Sequence, residues 1–209
     1  MIYKHLNNYG FIEDKLPDNL FNNLLKESLN FKTKKRYITG LTGNGTPNHY
    51  KIVNKENLKN LNLFLNSLVI KYEKNFNYLK TFKFLTNGVP LFFDEPWVNI
   101  QKKGEFIPHH THDGIFSYTV WLKIPYDLQK EIKDSKFATA FEFSYSNILG
   151  ELSTEKMFLD KNDEGKIILF PSKLTHMVYP FLKCDDIRIS LSGNILLDTK
   201  KLWTQKNFH

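Results

Sequence analysis

The chain has 209 residues, 41% hydrophobic and 15% aromatic, including 18 Phe and 10 Tyr, which suffices for one domain with a substantial core and argues against disorder. Its net charge of +7 comes from lysines scattered along the chain, such as Lys32, Lys34, Lys35, Lys200 and Lys201, so specific nucleic-acid recognition is not expected. The single cysteine, Cys184, excludes an internal disulfide and a cysteine-built zinc site. With no leader pattern and no run near the ~20 apolar residues of a membrane span, a cytoplasmic protein is expected (host cytoplasm if phage-encoded), with no membrane partner.

In chain order, Leu20, Phe21, Leu24, Leu25 and Leu29 recur at helical spacing behind Asp18, which is placed to cap a first helix. Residues 36–41 suit an edge strand, followed by a turn-rich loop over 42–48. Asn54 is placed to cap a longer helix in which Leu58, Leu61, Leu65, Leu68 and Tyr72 recur at three- and four-residue steps, with Phe64 and Phe76 widening the apolar face. From about residue 80 the pattern changes to short β-type runs between turn residues, at 83–85, 96–102, 116–124, 138–145, 156–159, 166–170, 175–178 and 187–195. Eight such runs predict a double-sheet jelly roll: a mainly β fold with supporting α, N-terminal helices and a single domain over 1–209. Within it, residues 1–80 supply helical support and edge strands and 81–198 the β core. The loops 127–136 and 146–155 carry no recognised signature.

The chemistry concentrates in three pieces: Pro108-His109-His110-Thr111-His112-Asp113-Gly114, then Phe170-Pro171-Ser172 with His176, then Arg188-Ile189-Ser190. Strand residues two apart face the same way about 6.6 Å apart, so His110 and His112 can converge on one metal while His109 and Thr111 face away. His176 is the candidate third ligand, and imidazole suits Fe, Zn, Cu or Ni. Alternation in 187–192 puts Arg188, Ser190 and Ser192 on one face and Ile187, Ile189 and Leu191 on the other. A guanidinium facing a β interior needs an anion, either a bound dicarboxylate or a protein carboxylate such as Asp185 or Asp186. His5, His49 and His209 fall outside the constellation and are assigned no role.

Together with Trp97-Val98-Asn99, Ser117 to Pro125, Gly165 to Ser172, His176 to Phe181 and Arg188 to Asn194, these pieces resemble the Fe(II)- and 2-oxoglutarate-dependent oxygenases, especially their phage and bacterial branch. The likeness covers about half of the chain, residues 95–196, and it is specific as an ensemble. It implies a double-stranded β-helix, cupin-like, with Fe(II) at one mouth chelated by the 2-oxo carboxylate end of 2-oxoglutarate. It further implies His110 and His176 as metal ligands and Arg188, with Ser190, on the far carboxylate. Asn99 and Tyr118 are candidates for the cosubstrate wall, and Trp97 for the substrate wall. The implied reaction couples O2 and 2-oxoglutarate to C–H hydroxylation, releasing succinate and CO2. One position departs from the family pattern: His112 stands where Asp or Glu is usual. The third ligand is therefore either His112, selected by the strand period, or Asp113, turned inward by a bulge. The substrate class is open between a protein residue, an amino acid, a nucleobase and a metabolite, and the competing reading is a non-catalytic, cupin-like metal-binding or interaction protein.

Overall fold

The computed structural model describes residues 8–31, 36–37, 45–82 and 91–198. Twelve strands are described: β1 (Ile12–Lys15), β2 (Arg36–Tyr37), β3 (Asn48–Lys51), β4 (Leu91–Phe93), β5 (Trp97–Gln101), β6 (Ile107–His110), β7 (Phe116–Lys123), β8 (Phe141–Ser146), β9 (Leu152–Met157), β10 (Lys166–Pro171), β11 (Thr175–Val178) and β12 (Arg188–Leu197). Three α-helices accompany them: α1 (Asp18–Leu29), α2 (Lys55–Phe76) and α3 (Leu128–Asp134).

All strand pairs are antiparallel. The larger sheet runs β1-β10-β7-β12-β5-β3-β2, with β4 pairing the far end of β12, and the smaller runs β6-β11-β8-β9. From β5 onward the chain alternates between the sheets except at the β8-β9 hairpin, so that β5-β12-β7-β10 faces β6-β11-β8-β9. This is a double-stranded β-helix, extended at one side by β3 and β2 and at the other by β1.

The two faces of the larger sheet are built differently. Leu24 of α1 and Leu61, Leu65, Leu68 and Tyr72 of α2 pack on its outer face against Val98, Phe116, Tyr118, Val120, Leu122, Leu169, Ile189 and Leu191. Its inner face joins the smaller sheet through a second cluster of Trp121, Phe141, Phe143, Ile168, Phe170 and Phe181. Burial of these large side chains, each contributing about 1.5–3 kcal/mol, sets the phase of every central strand. It thereby decides which residues can reach the space between the sheets.

Several local expectations change. Asn54 does cap α2, its side chain accepting from the backbone N–H groups of Glu56 and Asn57 at 3.0 Å each. Asp18 does not cap α1: Pro17 holds that position, and Asp18 opens the first turn, where its charge complements the helix dipole. The loop 127–136 contains α3, capped by Asp127, whose carboxylate accepts from Gln129 and Lys130 N–H. The candidate strand 83–85 lies outside the described residues, as do 38–41 and 42–44 of the edge strand and loop. The eighth core strand is instead β6, the histidine tract itself. Among the described residues no helix is long and apolar enough to cross a membrane.

Candidate metal centre and cavity

His110 closes β6 and lies directly opposite His176 of β11 in the ladder. β6 ends there, so His112 stands beyond the strand. Its position is fixed by its own backbone N–H, which donates to the carbonyl of Ser172 at 2.9 Å. The Phe170-Pro171-Ser172 turn thus anchors one histidine through its backbone and leads into the strand that carries another. The three imidazoles are 4.2 Å (His110 to His176), 4.8 Å (His110 to His112) and 5.1 Å (His112 to His176) apart between ring centres. One nitrogen of each lies within 4.8 Å of the others, close enough for all three to share a single ion.

Tautomers are decided by acceptors that cannot donate. His110 Nδ1 is 2.7 Å from the carbonyl of Pro108, and His176 Nδ1 is 2.9 Å from that of Leu174, so both Nδ1 atoms carry the proton and both Nε2 lone pairs are bare. Phe141 stacks parallel to the His176 ring, which fixes its plane. Burial, reinforced by neighbouring imidazoles, holds all three below the ordinary histidine range: His110 is lowered, His112 falls to about 4, and His176 is held well below its usual value. At neutral pH they are therefore uncharged, the state that binds a metal. Three neutral imidazole nitrogens suit a first-row transition metal such as iron. The side chain of Asp113 is fully exposed and paired with Lys173 at 3.3 Å, at the rim of the cavity that the histidines line.

The histidines stand at the open end of a cavity of about 570 Å³ between the sheets. Its larger-sheet wall is mostly polar, with Asn99, Gln101, Thr119, Arg188, Ser190, Ser192 and Asn194 lining it beside the apolar Trp121 and Leu196. Trp97 joins this lining at the histidine end, 5.7 Å from the ring of His112. Tyr118, expected in the wall, faces the opposite way. It is buried against the helices and lies across Gly193, where an added Cβ would sit 2.4 Å from its Oη. Strand alternation brings its neighbour Thr119 into the cavity instead.

Arg188 occupies the buried end, only 2% exposed. Asp185 pairs with Lys103 and Asp186 with Lys123, so neither neutralises it, and among the described residues no carboxylate lies within ion-pair distance of Arg188. Its donors meet neutral acceptors. Nε and Nη2 reach Gln101 Oε1 at 2.9 and 2.5 Å, Nη1 reaches Tyr126 Oη and the Thr139 carbonyl at 3.1 and 3.0 Å, and Nη2 also reaches the Tyr179 carbonyl at 3.0 Å. The rings of Tyr126 and Phe181 flank the guanidinium, each 5.8 Å away. A buried cation without a counter-charge leaves this end of the cavity strongly positive.

Sequence reasoning missed Gln101, Thr119, Asn194, Tyr126 and His49, and it placed Ser192 on the face of Arg188 without giving it a role. His49 is buried and lines the cavity opposite Asn99, although no role was assigned to it. The available signal was strand phase: Gln101 shares a face with Asn99, and Ser192 and Asn194 share one with Arg188.

Residues 95–194 match the family model described as "Putative 2OG-Fe(II) oxygenase". A search of curated protein sequences finds no match. Among solved structures, the chain is similar to a prolyl-4-hydroxylase from Pseudomonas putida, at 14% identity over 88% of this chain and 91% of that one, with a TM-score of 0.58. It is also similar to a prolyl hydroxylase from Trichoplax adhaerens in complex with a hypoxia inducible factor peptide fragment, at 15% identity over 92% and 85% of the two chains and a TM-score of 0.58. A third is the viral collagen prolyl hydroxylase of Paramecium Bursaria Chlorella virus-1 in its 2OG complex, at 13% identity over 88% and 94% and a TM-score of 0.54. At these identities the structural likeness speaks for the fold.

Proposed function

We propose that the chain is a 2OG-Fe(II) oxygenase, a reading supported by the match over residues 95–194, with Fe(II) and 2-oxoglutarate as metal and cosubstrate, and that it hydroxylates a C–H bond of its substrate. One oxygen atom of O2 would enter that bond and the other succinate, with release of CO2. The observation that carries this reading is the convergence of three neutral imidazoles, two of them presenting Nε2, at the open end of a cavity whose buried end holds an uncompensated guanidinium.

In this reading His110, His112 and His176 hold the iron. Asp113 stays outside, since its carboxylate is exposed and already directed to Lys173. When bound, the iron supplies activation of O2; the chain's own residues bind, orient and shield. Pro108 and Leu174 orient two ligand rings through their carbonyls, and Phe141 and Trp97 place apolar rings against His176 and His112, respectively, limiting water. Arg188 provides the positive end that selects a dicarboxylate over a monocarboxylate, Ser190 and Asn99 belong to the cosubstrate wall, and Trp97 stands where a substrate would approach.

The test is succinate formation in air by protein loaded with one equivalent of iron and supplied with 2-oxoglutarate. The expected result is iron-dependent succinate at a rate above the metal-free control. Stoichiometric iron without any succinate would favour a non-catalytic metal-binding protein and overturn the oxygenase reading.

A further inference from the structure

His110 is the second of two consecutive histidines, and the two side chains are chemically alike. A slip of β6 by one residue would turn His110 out of the cavity and His109 into it. The backbone offers little resistance to that. β6 is a four-residue strand at one edge of the smaller sheet, and its ladder with β11 is irregular between the pairs His176–His110 and Val178–Ile107. Pro108, inside the strand, has no N–H to give. Side chains must therefore help to select the register.

The outer face of the smaller sheet carries a device suited to this. Phe141 and Phe143 of β8 pack between the sheets, so alternation turns Glu142 and Ser144 outward. Glu142 is nevertheless only 4% exposed. Its Oε2 accepts from Lys156 Nζ of β9 at 2.9 Å and from Tyr179 Oη, just beyond β11, at 3.0 Å, and its Oε1 accepts from Ser144 Oγ at 3.2 Å. Burial raises its pKa, but these hydrogen bonds more than offset that and hold the carboxyl below its ordinary range. His109 Nε2 reaches across β11 to Ser144 Oγ at 3.0 Å and lies 3.6 Å from Glu142 Oε1. A carboxylate only accepts, so the Ser144 proton goes to Glu142, and Ser144 Oγ is left to accept from His109 Nε2–H. One buried anion thus ties β6, β9 and the end of β11 to β8. A buried ion pair contributes little net stability, and its best-attested use is to fix register.

We propose that Glu142 is a positioning residue for the metal centre: through Ser144 it holds His109 on the outer face and so fixes the register in which His110 presents Nε2 to the cavity. The inference rests on the metal-binding part of the oxygenase reading. It gives the two adjacent histidines different tasks, His110 as ligand and His109 as the peg that keeps His110 in place.

The experiment is titration of the metal-free protein, without O2, with Fe(II) and with Co(II), whose visible spectrum reports the geometry of its ligands. In Glu142→Leu the Kd for Fe(II) should rise by about tenfold or more, the loss usual for removing an outer partner of a ligand, and the spectrum of bound Co(II) should change. Glu142→Gln, whose amide oxygen can still accept from Ser144, should restore both. Lys156→Gln breaks the ion pair at the other carboxylate oxygen and leaves the His109 arm intact, so its Kd for Fe(II) should move less than twofold. Should Glu142→Leu fail to fold, His109→Ala cuts the tie at its other end, and the same loss is expected. Unchanged Fe(II) affinity and Co(II) spectrum in the folded variant, or an equal loss in Lys156→Gln, overturns the assignment. Failure of the unsubstituted protein to bind either metal would bring down the metal centre itself, and this inference with it.

Discussion

Replacing His176 with alanine is expected to abolish iron uptake, lowering metal affinity by at least ~100-fold, since loss of even an outer partner of a ligand costs about 10–100-fold. His176 is the most buried of the three imidazoles, held by the Leu174 carbonyl on one side and by Phe141 and Phe170 around its ring. Its removal leaves two ligands, one of them outside a strand, with nothing among the described carboxylates to replace it, because Asp113 points to Lys173. The fold should survive. The buried ring is already forced to remain neutral, and its contacts with Phe141, Phe143 and Phe170 are packing contacts that a smaller side chain weakens without leaving a charge behind. Elemental analysis together with far-UV circular dichroism checks both halves. A folded variant that still carries stoichiometric iron would contradict the ligand role.

Arg188→Ala should act in two ways. It removes the cavity's fixed positive charge, so 2-oxoglutarate affinity is expected to fall by at least an order of magnitude while iron remains bound, the histidines being at the other end. It also leaves Gln101 Oε1, Tyr126 Oη and the carbonyls of Thr139 and Tyr179 without their shared donor. Each buried group left dry costs roughly 1–3 kcal/mol. Relief of the buried charge and entry of water offset part of that, and a melting temperature lower by roughly 5–10 °C is expected. Calorimetry and thermal denaturation of the same sample separate the effects. Unchanged 2-oxoglutarate affinity would remove Arg188 from the account, whatever happened to stability.

How much of this was legible depended on whether a residue's role follows from local pattern or from burial on both sides of a sheet. The helices announced themselves because one face of each is solvated, giving the three- and four-residue steps of Leu58, Leu61, Leu65, Leu68 and Tyr72. Arg188, Ser190 and Ser192 were placed together because β12 alternates cleanly between polar and apolar residues. β7 does not: its residues from Phe116 to Leu122 are buried on both faces, so sequence offers no phase, and Tyr118 was expected where Thr119 stands. β1, β4 and β6 run to only three or four residues, too short for a periodic signal.

The histidine constellation was readable as a set, but its geometry arises differently from the expectation. The period of a strand was to bring His110 and His112 to one side. In the structure β6 stops at His110, and a backbone hydrogen bond to Ser172 swings His112 into place. The partners of Arg188 could not be read at all, since they come from β5, from the segment after β7, from the turn before β8 and from the end of β11, joined only by the fold. Glu131 is similar. It is a buried carboxylate on α3 that accepts from the N–H groups of Leu182 and Lys183 and so ties down the segment leading to Arg188, with no local signature to mark it.

The most direct test of a metal chelated by the cosubstrate within this cavity is the visible spectrum of the protein with Fe(II) and 2-oxoglutarate in the absence of O2. A weak charge-transfer band should appear only when both are present, and it should be missing from the His176→Ala variant. Bound iron and bound 2-oxoglutarate without that band would mean that the two do not meet, contradicting the account at its centre.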